Sequence, residues 1–229
     1  MASSLVKKGD YKTIDTNFLL EGHVILNEVA SVQEKYQKND TDVFINELRD
    51  SMVGYYLGYN LVNLSKHGFD CKVDSDTNIF LEVKSASFNS GSWAATFNDT
   101  TIEKAQLFQS KEVFLALALW KNASNLLFII YGQNPKLGVF LENKVKQFLK
   151  GECGVRSTQT LSITQLIFDF DFDIICIDNN KKEVLQLLVN KSKKFKEISK
   201  DKLLTLEEYA KKYNMQSKTL NVLLNPNKY

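Results

Sequence analysis

Glu82 and Lys84 stand two positions apart in the run FLEVKSAS, residues 80–87, whose other members are apolar or small. Side chains alternate across a β-strand, so in an extended run the carboxylate and the ammonium share one face while Leu81, Val83 and Ser85 take the other. Burying either charge alone would cost several kcal/mol, and pairing seldom repays the desolvation in full. The placement therefore points to something held beside them. A second acid, Asp70, lies 12 positions before Glu82, within cross-strand reach if residues 68–74 form the first strand of a hairpin. Two carboxylates and a main-chain carbonyl, Val83 being the natural donor, make a hard oxygen site suited to Mg2+ with waters completing the octahedron. Such an ion acidifies bound water and stabilises charge building on a reacting phosphate, and Lys84 can position the attacking water and favour its deprotonated form. Phosphodiester hydrolysis needs these parts. Asp74 is an alternative first acid on the same face as Asp70, but it adjoins the turn-forming SDT at residues 75–77 and can serve to start that turn.

Stepwise around this triplet, the sequence supplies elements able to hold it. Residues 39–68 open on the capping types Asn39 to Asp42, carry Phe44, Leu48, Met52, Tyr55, Tyr59 and Val62 along one stripe, and stop at His67-Gly68, which predicts one long helix of about two dozen residues. The runs GFDCKVD (68–74) and NIFLEVKSASF (78–88) flank the turn and predict a hairpin. After the loop NSGSWAA, Thr100 and Glu103 have the spacing of a capping box for a helix. EVFLALALW (112–120) and NLLFIIYGQ (125–133) read as strands buried on both faces, and residues 137–151 as an amphipathic helix. Residues 166–178, LIFDFDFDIICID, read as an edge strand with Asp169, Asp171 and Asp173 on a charged solvent face that discourages aggregation. Residues 18–37 have helical spacing, and the chain beyond 180 reads as helical throughout. The fold class expected is α/β (α+β), a mixed central β-sheet flanked by helices. Residues 1–179 would form the core with its N-terminal helices, and 180–229 a helical C-terminal extension with the rhythm of a helix-turn-helix.

Composition narrows the field. The chain has 229 residues, 44% hydrophobic and 24% charged, enough for one sizeable core. A net charge of +2 is too mild to announce nucleic-acid binding by itself. Cys71, Cys153 and Cys176 form no CxxC pair and only His23 and His67 are histidines, which argues against zinc centres and histidine triads and fits a reducing compartment. No apolar run reaches membrane-spanning length, so a soluble cytoplasmic protein with no membrane partner is expected.

Asp70, Glu82 and Lys84 in a hairpin after a long helix resemble the PD-(D/E)xK nuclease superfamily, and within it most closely a Type II restriction endonuclease. The resemblance covers residues 39–133, with helix, hairpin, helix and two further strands in the family's order; Phe69 stands where the motif name has proline, which is often absent there. It implies a Mg2+-dependent, sequence-specific endonuclease acting on double-stranded DNA in a restriction-modification system. Asp70 and Glu82 would bind the metal, Lys84 would be the catalytic lysine and Glu47 an auxiliary acid on the preceding helix. Cutting both strands of a symmetric site further implies a homodimer. The alternatives are a repair or junction-resolving nuclease of the same fold, or a non-enzymatic DNA-binding regulator. Contacts to DNA are expected from Asn89, Ser90, Ser92, Asn98 and Lys104 after the catalytic strand and from Arg156, Ser157 and Gln159 in a hydroxyl- and amide-rich loop. Gln216, Ser217, Lys218 and Asn221 in the C-terminal helices complete the set.

Overall fold

The computed structural model describes residues 11–12, 14–36, 43–62, 69–74, 76–152, 158–178 and 180–215. The elements run β1 (Tyr11–Lys12), α1 (Thr16–Tyr36), α2 (Val43–Tyr56), β2 (Asn60–Val62), β3 (Cys71–Lys72), β4 (Phe80–Ser87), β5 (Ala94–Phe97) and α3 (Ile102–Leu107). They continue with β6 (Val113–Trp120), β7 (Leu126–Gly132), α4 (Pro135–Leu149), β8 (Gln159–Ser162), α5 (Ile163–Phe168), β9 (Asp173–Cys176), α6 (Lys181–Lys191), β10 (Leu203–Thr205) and α7 (Leu206–Tyr213).

Eight strands form one mixed sheet in the order β1-β2-β3-β4-β6-β7-β9-β10, while β5 and β8 pair antiparallel as a separate ribbon. β4 and β6 are parallel, with Glu82 beside Leu115 and Lys84 beside Leu117. The two strands that are apolar on both faces, β6 and β7, sit in the middle, as helices on both sides of a sheet require. Alternation sorts their side chains: Leu81, Val83, Ala116, Ala118, Ile129 and Ile175 pack beneath α1, α2 and α7. Phe80, Leu115, Leu117, Phe128, Ile130 and Ile174 face α3 to α6 and the β5-β8 ribbon. The expected α/β class, a mixed central sheet flanked by helices, is what the chain forms.

Several boundaries differ from expectation. The long helix over 39–66 ends at Tyr56: Gly58 takes φ 79°, a left-handed conformation that closes helices, and the chain then pairs as β2 with β3. The residues 39–42 expected to cap it lie outside the described part. Tyr59 stands between α2 and β2, its N–H still bonded to Gly54 O at 2.8 Å, and is fully buried with its hydroxyl 2.7 Å from that of Tyr131. The cap of α3 is Thr101, whose side chain accepts the Lys104 N–H, and Thr100 is buried before it.

Residues 166–178 are not one strand. Ser162 and Gln165 close a reciprocal capping box that starts α5, Asp171 turns the chain at φ 65°, and only Asp173–Cys176 is extended. β9 lies inside the sheet between β7 and β10, so the charged-edge reading is overturned. Asp173 has no exposure; it accepts Tyr213 Oη at 2.7 Å and pairs with Lys212 Nζ at 2.6 Å and Lys202 Nζ at 3.4 Å.

The expected division at 180 falls within the sheet, because β10 pairs parallel with β9 and α7 packs beneath both. Helical periodicity missed β10, a three-residue strand too short to show its alternation. α7 carries a capping box between Thr205 and Glu208, buries Leu206 and Tyr209, and ends at Asn214 with φ 52°. Tyr209 donates from its hydroxyl to Leu57 O at 2.9 Å, and the rings of Tyr131, Tyr209 and Tyr213 meet pairwise at 4.9 to 5.3 Å. The second helix of the expected helix-turn-helix lies outside the described residues. Among the described residues no helix is long and apolar enough to cross a membrane.

Candidate active site

The β3-β4 register pairs Cys71 with Leu81 and Lys72 with Phe80; continued one step, it sets Asp70 opposite Glu82. The ladder stops there. In place of a backbone partner, Asp70 Oδ2 accepts the Val83 N–H at 2.7 Å. Ile79 O accepts from Val73 N, whereas Phe80 N donates to Glu112 O, so odd-numbered residues of β4 direct their main-chain groups toward β3. A strand residue presents N–H and C=O to the same neighbour, and the Val83 carbonyl therefore faces the open edge that Asp70 occupies. Asp74 plays a different part: its Oδ1 accepts the N–H groups of Thr77 at 2.7 Å and Asp76 at 2.9 Å. Those bonds hold its carboxyl below the usual range and make it the residue that turns the hairpin. Of the two acids, Asp70 belongs to the site.

Glu82 is 2% exposed, and its Oε1 receives both Lys84 Nζ at 2.6 Å and Lys104 Nζ at 2.8 Å. Its Oε2 is buried without a hydrogen-bond partner. Burial alone would raise this carboxyl, but the Lys84 and Lys104 ammoniums outweigh it and hold the group below its ordinary value. Burial also opposes the charge on Lys84, yet the Glu82 and Asp70 carboxylates keep it protonated well above the normal lysine range. Asp70 goes the other way: burial, then the Glu82 charge, push it up to about 6 against the relief from Lys84 and the Val83 N–H.

A third acid comes from α2. Asp50 Oδ1 accepts the Ser85 hydroxyl at 3.4 Å, and Ser85 Oγ in turn accepts Trp120 Nε1 at 3.2 Å. Burial, then the negative charge of Asp70, push the Asp50 carboxyl well above its ordinary value. The helix is fixed over the sheet by Arg49, which donates to Ala123 O at 2.9 Å and Asn122 O at 2.6 Å with its guanidinium 4.9 Å from the Trp120 ring. Gly54 lets α2 approach, since a Cβ there would stand 2.5 Å from Cys71 Sγ.

Asp70, Glu82, Lys84 and the Val83 main chain are thus gathered at one place, with Lys104 bonded to a carboxylate rather than free to meet phosphate. Sequence reasoning missed Asp50 and Ser85. Glu47 lies one helical turn before Asp50 on α2, and its side chain is outside those described. Of the polar residues after β4, Lys104 joins the site through Glu82, and the others are placed elsewhere. Ser90 Oγ donates to Ser92 O at 2.6 Å, Lys191 ties the loop to α6 through Ser90 O and Gly91 O, and Asn89 and Asn98 are exposed in turns. Gln159 lies on β8 opposite Phe97. Arg156, Ser157, Gln216, Ser217, Lys218 and Asn221 lie outside the described residues.

Among the described residues no three His, Cys, Asp or Glu side chains form a ready-made metal shell; Glu82 Oε1 is instead taken up by two lysines. The donors nonetheless suit a hard divalent cation. One carboxylate oxygen is buried and unsatisfied, and two neighbouring carboxyls are raised first by burial and then by negative charge, Asp70 by Glu82 and Asp50 by Asp70, a strain that positive charge would relieve. No family model matches the chain, and no curated protein sequence is similar to it. What the cluster can do follows from its own chemistry: all-oxygen acids beside a fixed ammonium suit hydrolysis at an anionic centre.

Proposed function

We propose that the chain is a Mg2+-dependent endonuclease of the PD-(D/E)xK type that hydrolyses phosphodiester bonds in double-stranded DNA, acting as a site-specific restriction enzyme. The observation that carries this reading is the gathering of Asp70 and Glu82 with two lysines where the β3 ladder ends, Glu82 Oε2 being left unpaired and Asp50 near enough to feel their charge. Asp70, Glu82 and the Val83 carbonyl would hold the metal. When bound, Mg2+ would lower the pKa of a coordinated water and offset charge on the reacting phosphate. Lys84, kept charged by Glu82 and Asp70, is a hydrogen-bond donor to the attacking water and does not take its proton. Asp50, oriented by Ser85 and Trp120, would steady the water network from the other face of the sheet. A homodimer would present two such centres to the two strands of a symmetric site.

Incubating the full chain with phage DNA and Mg2+ should give discrete fragments whose ends share one sequence. Glu82→Ala and Lys84→Ala should each lower cleavage by at least about 100-fold while DNA binding in Ca2+ survives in gel-shift assays. Duplexes left uncut with every divalent metal, or cleavage unchanged in Glu82→Ala, would overturn the proposal. Cutting confined to branched substrates would reassign it to junction resolution.

A further inference from the structure

Glu82 carries one negative charge and two ammonium partners, both on Oε1. One ammonium suffices to neutralise it; the second is balanced only by Asp70, whose carboxyl also feels the Lys104 charge, and the two ammoniums repel each other across a single oxygen. They are not equivalent. Lys84 leaves β4 two residues from Glu82 on the same face and is held by Asp70 as well. Lys104 comes from α3, a six-residue helix entered through Asp99 at φ 48°; its side chain is 28% exposed against 24% for Lys84, so the two differ in how they are tethered rather than in access. Its backbone is anchored by the Thr101 cap at 3.1 Å and its ammonium stands 6.0 Å from the Phe69 ring; among the described contacts it bonds Glu82, and Asp70 feels its charge from farther away.

We infer that Lys104 is an internal counter-cation that stands in for the divalent ion at Glu82 Oε1 and is displaced when that ion binds, which frees its ammonium for the DNA phosphate. The inference rests on the metal-dependent reading above and assigns the order of events at that site. A dication entering beside both lysines would leave excess positive charge around the buried Glu82 carboxylate. Outward rotation of the α3 lysine relieves it and aims a cation at the side from which an anionic backbone must arrive. Lys104 thereby keeps Glu82 ionised in the metal-free protein, at the expense of metal affinity, and couples metal binding to capture of DNA.

The test uses the full chain without DNA, titrated with Mn2+ alone and followed by the resonance signal of the free ion. Lys104→Gln should bind Mn2+ more tightly than the parent, on the order of tenfold, Lys104→Arg should behave like the parent, and Glu82→Gln should bind poorly. Equal or weaker binding by Lys104→Gln, with Glu82→Gln still defective, would overturn the inference and leave the metal site standing. Mn2+ binding indifferent to Glu82→Gln would instead sink the metal site itself. A readout on the unaltered protein covers a variant that fails to fold. Acylation of lysines mapped by mass spectrometry should show Lys104 becoming several-fold more reactive on adding Mg2+ while Lys84 stays protected, and unchanged Lys104 labelling would refute the displacement.

Discussion

Asp70 and Asp50 are acids whose surroundings oppose their charge, and that has a measurable sign. With a folded value of about 6 against about 3.9 for an unfolded aspartate, Asp70 holds its proton in the folded state over a window where the unfolded chain releases it. Folding stability of the metal-free protein therefore falls as pH climbs from about 4 to about 6. Melting curves in chelator across that window should show Asp70→Asn flattening the fall, by about 3 kcal/mol at neutral pH, and a steeper fall in the variant would contradict this. The helix acid can be assigned by activity: Asp50→Asn should reduce cleavage by roughly 10- to 100-fold, with Glu47→Gln close to the parent. The reverse ranking would hand the auxiliary role to Glu47. The Glu82-Lys84 spacing was legible because period-2 alternation fixes which side chains share a face. Asp50 was not, because two acids one helical turn apart lie on the same stripe, and only docking of the helix on β3 decides which reaches the carboxylates.

At the level of elements, α2 is the part on which the site's geometry turns. Gly54→Ala would drive a methyl into Cys71 Sγ. Overpacking of about 1–3 kcal/mol should exceed the gain of about 1 kcal/mol in helix propensity. Thermal melts should show net loss, cleavage should fall further as Asp50 is lifted, and Cys71→Ala in the same background should restore both in part. Failure of that second change to help would mean the clash is not what matters. Continuous apolar runs announced β6 and β7 correctly, since burial on both faces leaves no other reading. Other patterns misled: a helical stripe over 39–66 and period-2 alternation over 166–178. In the first, Tyr59 and Val62, which a helix could bury equally well, lie beyond Gly58 in the approach to β2 and in β2 itself; in the second, a capping box at Ser162 outweighed the alternating DFDFD.

For the molecule as a whole, the C-terminal segment is structural before it can be anything else. Truncation after Lys202 would strip β10 from β9, uncover Ile174 and Ile175, and remove the Lys212 and Tyr213 partners of a fully buried Asp173. Circular dichroism should show loss of the cooperative melt; a truncated chain that folds and still cuts DNA would contradict this. Hydrophobic patterning made the layered α/β class readable, but the closing strand is three residues long and its partner lies 27 or more positions away, so nothing local marked it. The packed rings of Tyr59, Tyr131, Tyr209 and Tyr213 have one further use. Burial pushes all four phenols above their ordinary value, so in alkali they stay un-ionised while the chain is folded and surrender their protons only as α7 peels away. The ultraviolet band of tyrosinate is thus a built-in optical gauge of how firmly the tail of the protein is seated.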